Sequence, residues 1–246
     1  PMKQRLDALL VERGLVETRA KAQALVLAGK VFSGEKRLDK AGMQVAPDLA
    51  LEVRGQDHPW VSRGGVKLDF ALNHFALSPL GLVCLDIGAS TGGFTDVLLA
   101  RGAERVHAVD VGHGQLAWKL RTDPRVVVHE RLNARFLTRE HVPEPVGALV
   151  CDASFIGLRT VLPAGLALCA SGAWAVALIK PQFEAGPAKV GKGGVVRDPA
   201  VHQAVCAEIA SWWAGVPGWR VVGVVESPIT GPEGNREFLI AARQTG

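Results

Sequence analysis

The sequence predicts an α/β protein, a Rossmann-like doubly wound sheet of seven strands preceded by a small α+β unit. Three observations carry this. Apolar runs and helical periods alternate from Trp60 onward, the pattern of a parallel sheet with crossover helices. An apolar run, Leu82 to Leu85, ends in Asp86 and a Gly-rich turn, as strand-to-helix junctions in open sheets do. The 246 residues are 48% hydrophobic, enough for one sizeable core and a second small module.

Leu6, Leu9 and Leu10 recur at helical spacing before Gly14, and Thr18 stands as N-cap of a second helix that runs to Ala28 and stops at Gly29. A turn at Ser33-Gly34-Glu35-Lys36 and an alternating stretch from Met43 to Val53 complete the small unit, with Gly55 to Pro59 as linker. The expected division is 1–58 and 59–246. Strands are expected at 82–87, 105–110, 125–129, 146–152, 173–180, 219–226 and 236–242. Helices are expected at about 63–76, 92–101, 114–121, 157–170 and 199–214. Only a short loop joins the last two strands, so they are expected to pair antiparallel at the sheet edge.

The formal charge is +4, and residues 1–67 hold twelve Lys and Arg against eight Asp and Glu while the remainder is balanced. The small unit, with Lys3, Arg5, Arg13, Arg19, Lys21 and Lys30 on its helices and their ends, therefore offers a surface for an anionic partner, nucleic acid before membrane. Four scattered cysteines form no C-x-x-C pair, which favours reduced core thiols and a cytoplasmic protein. The uncharged stretch Val161 to Ile179 is interrupted by Pro163, Gly165 and Ser171-Gly172, so it reads as helix, turn and buried strand. No signal peptide and no metal-ligand cluster is expected.

The run Asp86-Ile-Gly-Ala-Ser-Thr-Gly-Gly-Phe-Thr-Asp96 is not the dinucleotide spacing G-x-G-x-x-G, and no G-K-[ST] phosphate loop occurs. This argues for a nucleoside-type ligand without a pyrophosphate, S-adenosylmethionine foremost. Ligands gather at the carboxyl ends of strands. There stand Asp86, Asp110 placed to take ribose hydroxyls, Asn133, Asp152 and Lys180. Candidate cofactor residues are accordingly Asp86, Gly88, Ser90, Gly92, Gly93, Phe94, Asp110, Asn133 and Asp152. Asp152 and Lys180 each end an almost wholly apolar run, where an unpartnered charge is costly; a structural salt bridge between them is the plain alternative to catalysis. Lys67 and Glu237 are further candidates.

Two resemblances follow from particular residues. Arg5-Leu6-Asp7, Thr18-Arg19-Ala20-Lys21-Ala22 and Ala28-Gly29-Lys30-Val31 resemble the RNA-binding domain first known from ribosomal protein S4, with Phe32-Ser33-Gly34 in place of the usual Val-Asn-Gly. Nearly the whole chain resembles the TlyA or hemolysin A family, whose catalytic half is similar to FtsJ-type 2′-O-ribose methyltransferases. The runs are Ser62 to Leu68, Asp86 to Asp96, Cys151 to Ile156, Ile179 to Glu184 and Gly234 to Leu239. The resemblance implies ribosomal RNA as substrate, S-adenosylmethionine as donor, and a Lys-Asp-Lys-Glu constellation on Lys67, Asp152, Lys180 and Glu237. RNA contacts are expected from Arg5, Arg19, Lys21, Lys30 and Arg63. A Lys180 crowded by Lys67 and desolvated is expected to have a lowered pKa and to act as base, with Asp152 and Glu237 orienting the lysines. Three alternatives remain at this level: a non-catalytic RNA-binding or assembly factor, a haemolysin-type membrane-active protein, and methylation of a protein or small molecule.

Overall fold

The computed structural model describes residues 2–246. The N-terminal unit is β1 (Gln4–Arg5), α1 (Leu6–Glu12), α2 (Arg19–Leu27), β2 (Val31–Ser33), β3 (Lys36–Arg37), β4 (Gln44–Val45) and β5 (Glu52–Val53). Thr18 caps α2 by accepting the Lys21 amide at 3.1 Å. The alternating stretch from Met43 to Val53 forms two two-residue strands rather than one, because Pro47 interrupts it and the halves pair elsewhere: β4 with β1, β5 with β2. Leu6, Leu9, Leu10, Val16, Val26 and Val31 are among the residues of a core that belongs to this unit alone.

The second unit contains α3 (Gly64–His74), β6 (Val83–Ile87), α4 (Gly93–Ala100), β7 (Arg105–Val109), α5 (Trp118–Arg121), β8 (Val126–His129), β9 (Val146–Cys151), α6 (Leu158–Val161) and α7 (Pro163–Leu166). It ends with β10 (Cys169–Ile179), α8 (Pro181–Glu184), α9 (Pro199–Ala214), β11 (Trp219–Glu226) and β12 (Phe238–Gln244). The expected helix over 157–170 is split at Pro163, and its last residues join β10 instead. The expected helix over 114–121 is reduced to α5, since the chain from Asp110 to Ala117 is a loop.

The seven strands run in the order β11-β12-β10-β9-β6-β7-β8, parallel except for β12, which is antiparallel to both β10 and β11. β12 is therefore inserted in the sheet and β11 forms the edge. Strand alternation divides the core: Leu85 and Ile87 face the cluster under α6, α7 and α9, while Cys84 faces the cluster under α3 and α4. The chain leaves β6 toward β7 and β8 on one side and reaches β9 and β10 on the other. The crevice at that reversal, above the ends of β6 and β9, is where an open sheet binds ligand.

Candidate active site

Two adjoining cavities occupy the crevice, with Gly88, Ser90, Asp152 and Ser154 common to both. The larger, about 440 Å³, is walled by apolar Ile87, Val109, Val111, Leu132, Ile156 and Val161, with Asp110 and Asn133 among its polar groups. Gly88 sits at φ +78°, and a Cβ there would stand 2.6 Å from the carbonyl oxygen of Asp152, so only glycine lets the two strand ends come this close. Asp110 is fixed by backbone: the Ser90 amide donates to one carboxylate oxygen at 2.6 Å and the Gly112 amide to the other at 2.8 Å. Each oxygen keeps a further lone pair for a ribose hydroxyl. Asn133 uses its side-chain oxygen to cap the following turn through the Arg135 amide, at 3.0 Å.

Four expected donor-side residues stand differently. Asp86 is fully buried beneath the cavity rather than in its wall, because alternation along β6 sends it to the α4 face with Cys84, where the Thr95 hydroxyl donates to it at 2.7 Å. Burial, reinforced by the negative charges of Asp152 and Asp110, pushes the Asp86 carboxyl up to about 7. Gly92, at φ +106°, gives way to the side chains of Leu116 and Leu120 and does not line either cavity. Gly93 and the buried Phe94 wall the smaller cavity instead of the larger one.

The smaller cavity brings Lys67, Asp152, Lys180 and Ser154 together. Lys67, in the first turns of α3, donates to Glu237 at 2.7 Å, and Gln182 donates to the other Glu237 oxygen at 3.0 Å. Glu237 immediately precedes β12 and is 1% exposed, so it stands behind Lys67 rather than in the cavity. Lys180, at the end of β10, has its ammonium 2.5 Å from Asp152 Oδ1 and donates to Ser154 Oγ at 3.1 Å.

The lowered Lys180 pKa expected from crowding is not found. Burial pushes that lysine down, but Asp152 and then Glu237 outweigh it and raise the pKa above the ordinary value. Asp152 is pushed up by burial and pulled down further by Lys180 and Lys67, so it stays ionised. The four charges thus form two neutral pairs, which is how they survive burial.

Gln182 and Phe155 were not singled out from the sequence. Gln182 fixes Glu237, and Phe155, at φ +64°, presents a ring 76% exposed at the rim of the larger cavity, in contact with Phe183 at a centroid separation of 4.8 Å. A glutamine two residues beyond the strand-end lysine and an aromatic three beyond the strand-end aspartate were the signals available.

Four of the five expected RNA-contacting cations gather around two carboxylates. Arg5 pairs with buried Asp7 at 2.9 Å, and Arg19 lies 3.6 Å from it. Lys21 pairs with Glu17 at 2.9 Å, and Arg63 lies 3.8 Å from Glu17 while donating to the Thr230 carbonyl at 2.9 Å. Lys30 is exposed. Arg13, by contrast, is buried, donating to the carbonyls of Pro47 and Leu49. Among the described residues no helix is long and apolar enough to cross a membrane, and no cluster of histidine, cysteine, aspartate or glutamate fits a metal ion.

The FtsJ-like methyltransferase family matches residues 60–244 and the S4 domain matches residues 4–50. The chain is 50% identical to the 16S/23S rRNA (cytidine-2′-O)-methyltransferase TlyA of Mycobacterium tuberculosis, over 97% of this chain and 89% of that protein. It is 40% identical to Hemolysin A of Brachyspira hyodysenteriae, over 96% of this chain and 98% of that one. A solved structure of a hemolysin-named protein from Streptococcus thermophilus superposes with a TM-score of 0.83 at 42% identity, covering 99% of this chain and 89% of the other. A sheet with this strand order, a cavity at its switch point and these matches agree: the chain belongs to the FtsJ-like methyltransferase family, in the branch that carries an N-terminal S4 domain.

Proposed function

We propose that this protein transfers the methyl group of S-adenosylmethionine to a ribose 2′-hydroxyl of ribosomal RNA, acting on ribosomal subunits in the cytoplasm. The observation that carries the reading is the pairing of Lys67 with Glu237 and of Lys180 with Asp152 beside a nucleoside-sized cavity. Charges at a purely structural strand end need no cavity.

The residues fit the donor. An apolar cavity of about 440 Å³ lies within the roughly 300–1,000 Å³ of small-molecule sites. Asp110 is aligned by two amides for the ribose hydroxyls, while Gly88 and Ser90 expose backbone beside it. When bound, the cofactor supplies a methyl already activated by its sulfonium. The protein then has to position the acceptor oxygen and manage its proton.

Lys67 and Lys180 converge on the smaller cavity and hold the acceptor oxygen there. Proton removal falls to Lys180 in its neutral form, a form that Asp152 disfavours, so turnover rises toward alkaline pH. Asp152 and Glu237 keep the lysines in place, and Gln182 keeps Glu237 in place. Phe155 offers an exposed ring on which an unstacked base can lie, the usual means of holding single-stranded RNA.

The test is transfer of labelled methyl groups from S-adenosylmethionine to purified ribosomal subunits, followed by mapping of 2′-O-methylated positions as sites resistant to alkaline cleavage. Label in rRNA at a resistant position is expected. Label confined to bases or protein, or no label with correctly assembled subunits, overturns the reading.

A further inference from the structure

The cavity that holds Lys67, Lys180 and Asp152 measures about 70 Å³, far below the roughly 300–1,000 Å³ of sites that take a small ligand. A nucleotide cannot enter it as it stands. Much of what narrows it comes from the other domain: Glu12, Arg13 and Gly14, at the end of α1, form one wall, and Glu12 and Arg13 also reach the donor cavity.

The contacts that hold this wall in place are polar. The Arg63 amide donates to the Gly14 carbonyl at 3.4 Å and the Glu233 amide to the Glu17 carbonyl at 2.9 Å. The Arg63 guanidinium lies 3.8 Å from Glu17, and His113 Nε2 lies 2.9 Å from Asp48 Oδ2. The hydrophobic clusters of the described residues stay within one domain or the other. Domains joined by polar contacts without a shared apolar core move relative to one another as a rule.

Glu17 is the contact on which RNA would act. Its carboxylate is shared by Lys21 and Arg63, two cations suited to phosphate. We infer that the N-terminal domain is a lid over the acceptor cavity, latched through Glu17 and Asp48, which opens when the phosphates of the RNA substrate, held in part by Lys21, draw Arg63 away from Glu17. The inference rests on RNA being the substrate, as proposed above. It makes methyl transfer conditional on engagement of the N-terminal domain, so that free nucleotides and unbound RNA ends are not methylated.

A reversible cross-link tests it. A Cβ on Gly114 would lie 3.4 Å from Asp48 Cβ, close to the ~3.8 Å of a disulfide, and the native cysteines are buried or half-buried and unpaired. Oxidised Asp48→Cys/Gly114→Cys is expected to lose at least about tenfold in methyl transfer to ribosomal subunits, as for an enzyme held shut, and to regain it on reduction. Equal activity of the oxidised and reduced forms overturns the lid.

Gly114 has φ +70°, so cysteine there carries strain. A second measurement therefore uses wild-type protein: hydrogen exchange at the Arg63 and Glu233 amides with and without an rRNA fragment. Faster exchange with RNA is expected; unchanged or slower exchange overturns the lid. Wild-type protein that methylates no rRNA in the same assay removes the underlying reading instead, which separates the two failures.

Discussion

The donor side of the site is built mainly from backbone, and the acceptor side from charged side chains brought together over long distances. Ser90 and Gly112 amides hold Asp110 across two adjacent strand-to-helix turns, at most 20 residues apart in sequence, whereas Lys67 and Glu237 are 170 residues apart in sequence. A backbone cradle is formed as soon as the sheet is. Paired charges require the whole fold, and each one left alone would be a buried liability. The donor side should therefore tolerate damage to the acceptor side, and the reverse.

The largest effect tests that separation directly. Lys180→Ala removes the proposed base and is expected to lower methyl transfer by about 10²–10⁴-fold with donor affinity unchanged, as read by single-turnover transfer and by titration of S-adenosylmethionine. A parallel loss of donor affinity would break the comparison. The converse, Asp110→Ala, removes charged hydrogen bonds worth about 1.5–3 kcal/mol, so donor affinity should fall about 10–100-fold while turnover at saturating donor recovers. Failure to recover would place Asp110 in the chemistry.

Asp152 lies on the boundary between the cavities and sharpens the comparison through pH. In the wild-type protein Asp152 and Glu237 outweigh burial and raise the Lys180 pKa. In Asp152→Asn the nearer negative charge is gone and desolvation gains, so the lysine pKa falls. The limb on which kcat rises with pH should move to lower pH, on a smaller maximal rate. An unmoved limb would mean that Lys180 is not the group whose deprotonation is being read.

These contrasts follow the legibility of the molecule. Strands β6, β9 and β11 could be read because each is an apolar or alternating run bounded by turn residues; the turn after β6 is legible as a turn because it is contiguous, but not which of its residues face the larger cavity, which Asp86, Gly92, Gly93 and Phe94 do not line. Of the acceptor residues, Asp152 and Lys180 are legible as charges ending apolar runs, while Lys67 and Glu237 join them through the family resemblance; the charge state of Lys180 is not legible. The Lys180 pKa is expected to be lowered even with Asp152 and Glu237 placed beside the lysines, since the distances at which the two carboxylates outweigh burial are not visible along the chain. The same blindness covers Glu12, Arg13 and Gly14, whose place over the active site depends on how two domains meet. Likewise Arg5 and Lys21 read as free cations until Asp7 and Glu17 are seen beside them.

Asp86 yields the smallest effect on activity, and its signal lies in stability. Period-two alternation along β6 already assigns it to the face of Cys84, under α4, and there Thr95 donates to one oxygen while the other is buried without a partner among the described residues. Its folded-state pKa of about 7 lies above the ordinary 3.8. Between those values the folded protein retains a proton that the unfolded chain releases, so the unfolded state binds fewer protons and stability falls as pH rises through this window. Asp86→Asn cannot ionise, and the amide can still accept from Thr95. Thermal melts should therefore show the variant more stable than wild type above pH 7, with the difference shrinking toward pH 4, and methyl transfer at saturating donor little changed. A variant that melts below wild type at pH 8, or that loses donor affinity as Asp110→Ala does, would return Asp86 to the cavity and make the donor side depend on a buried charge as the acceptor side does.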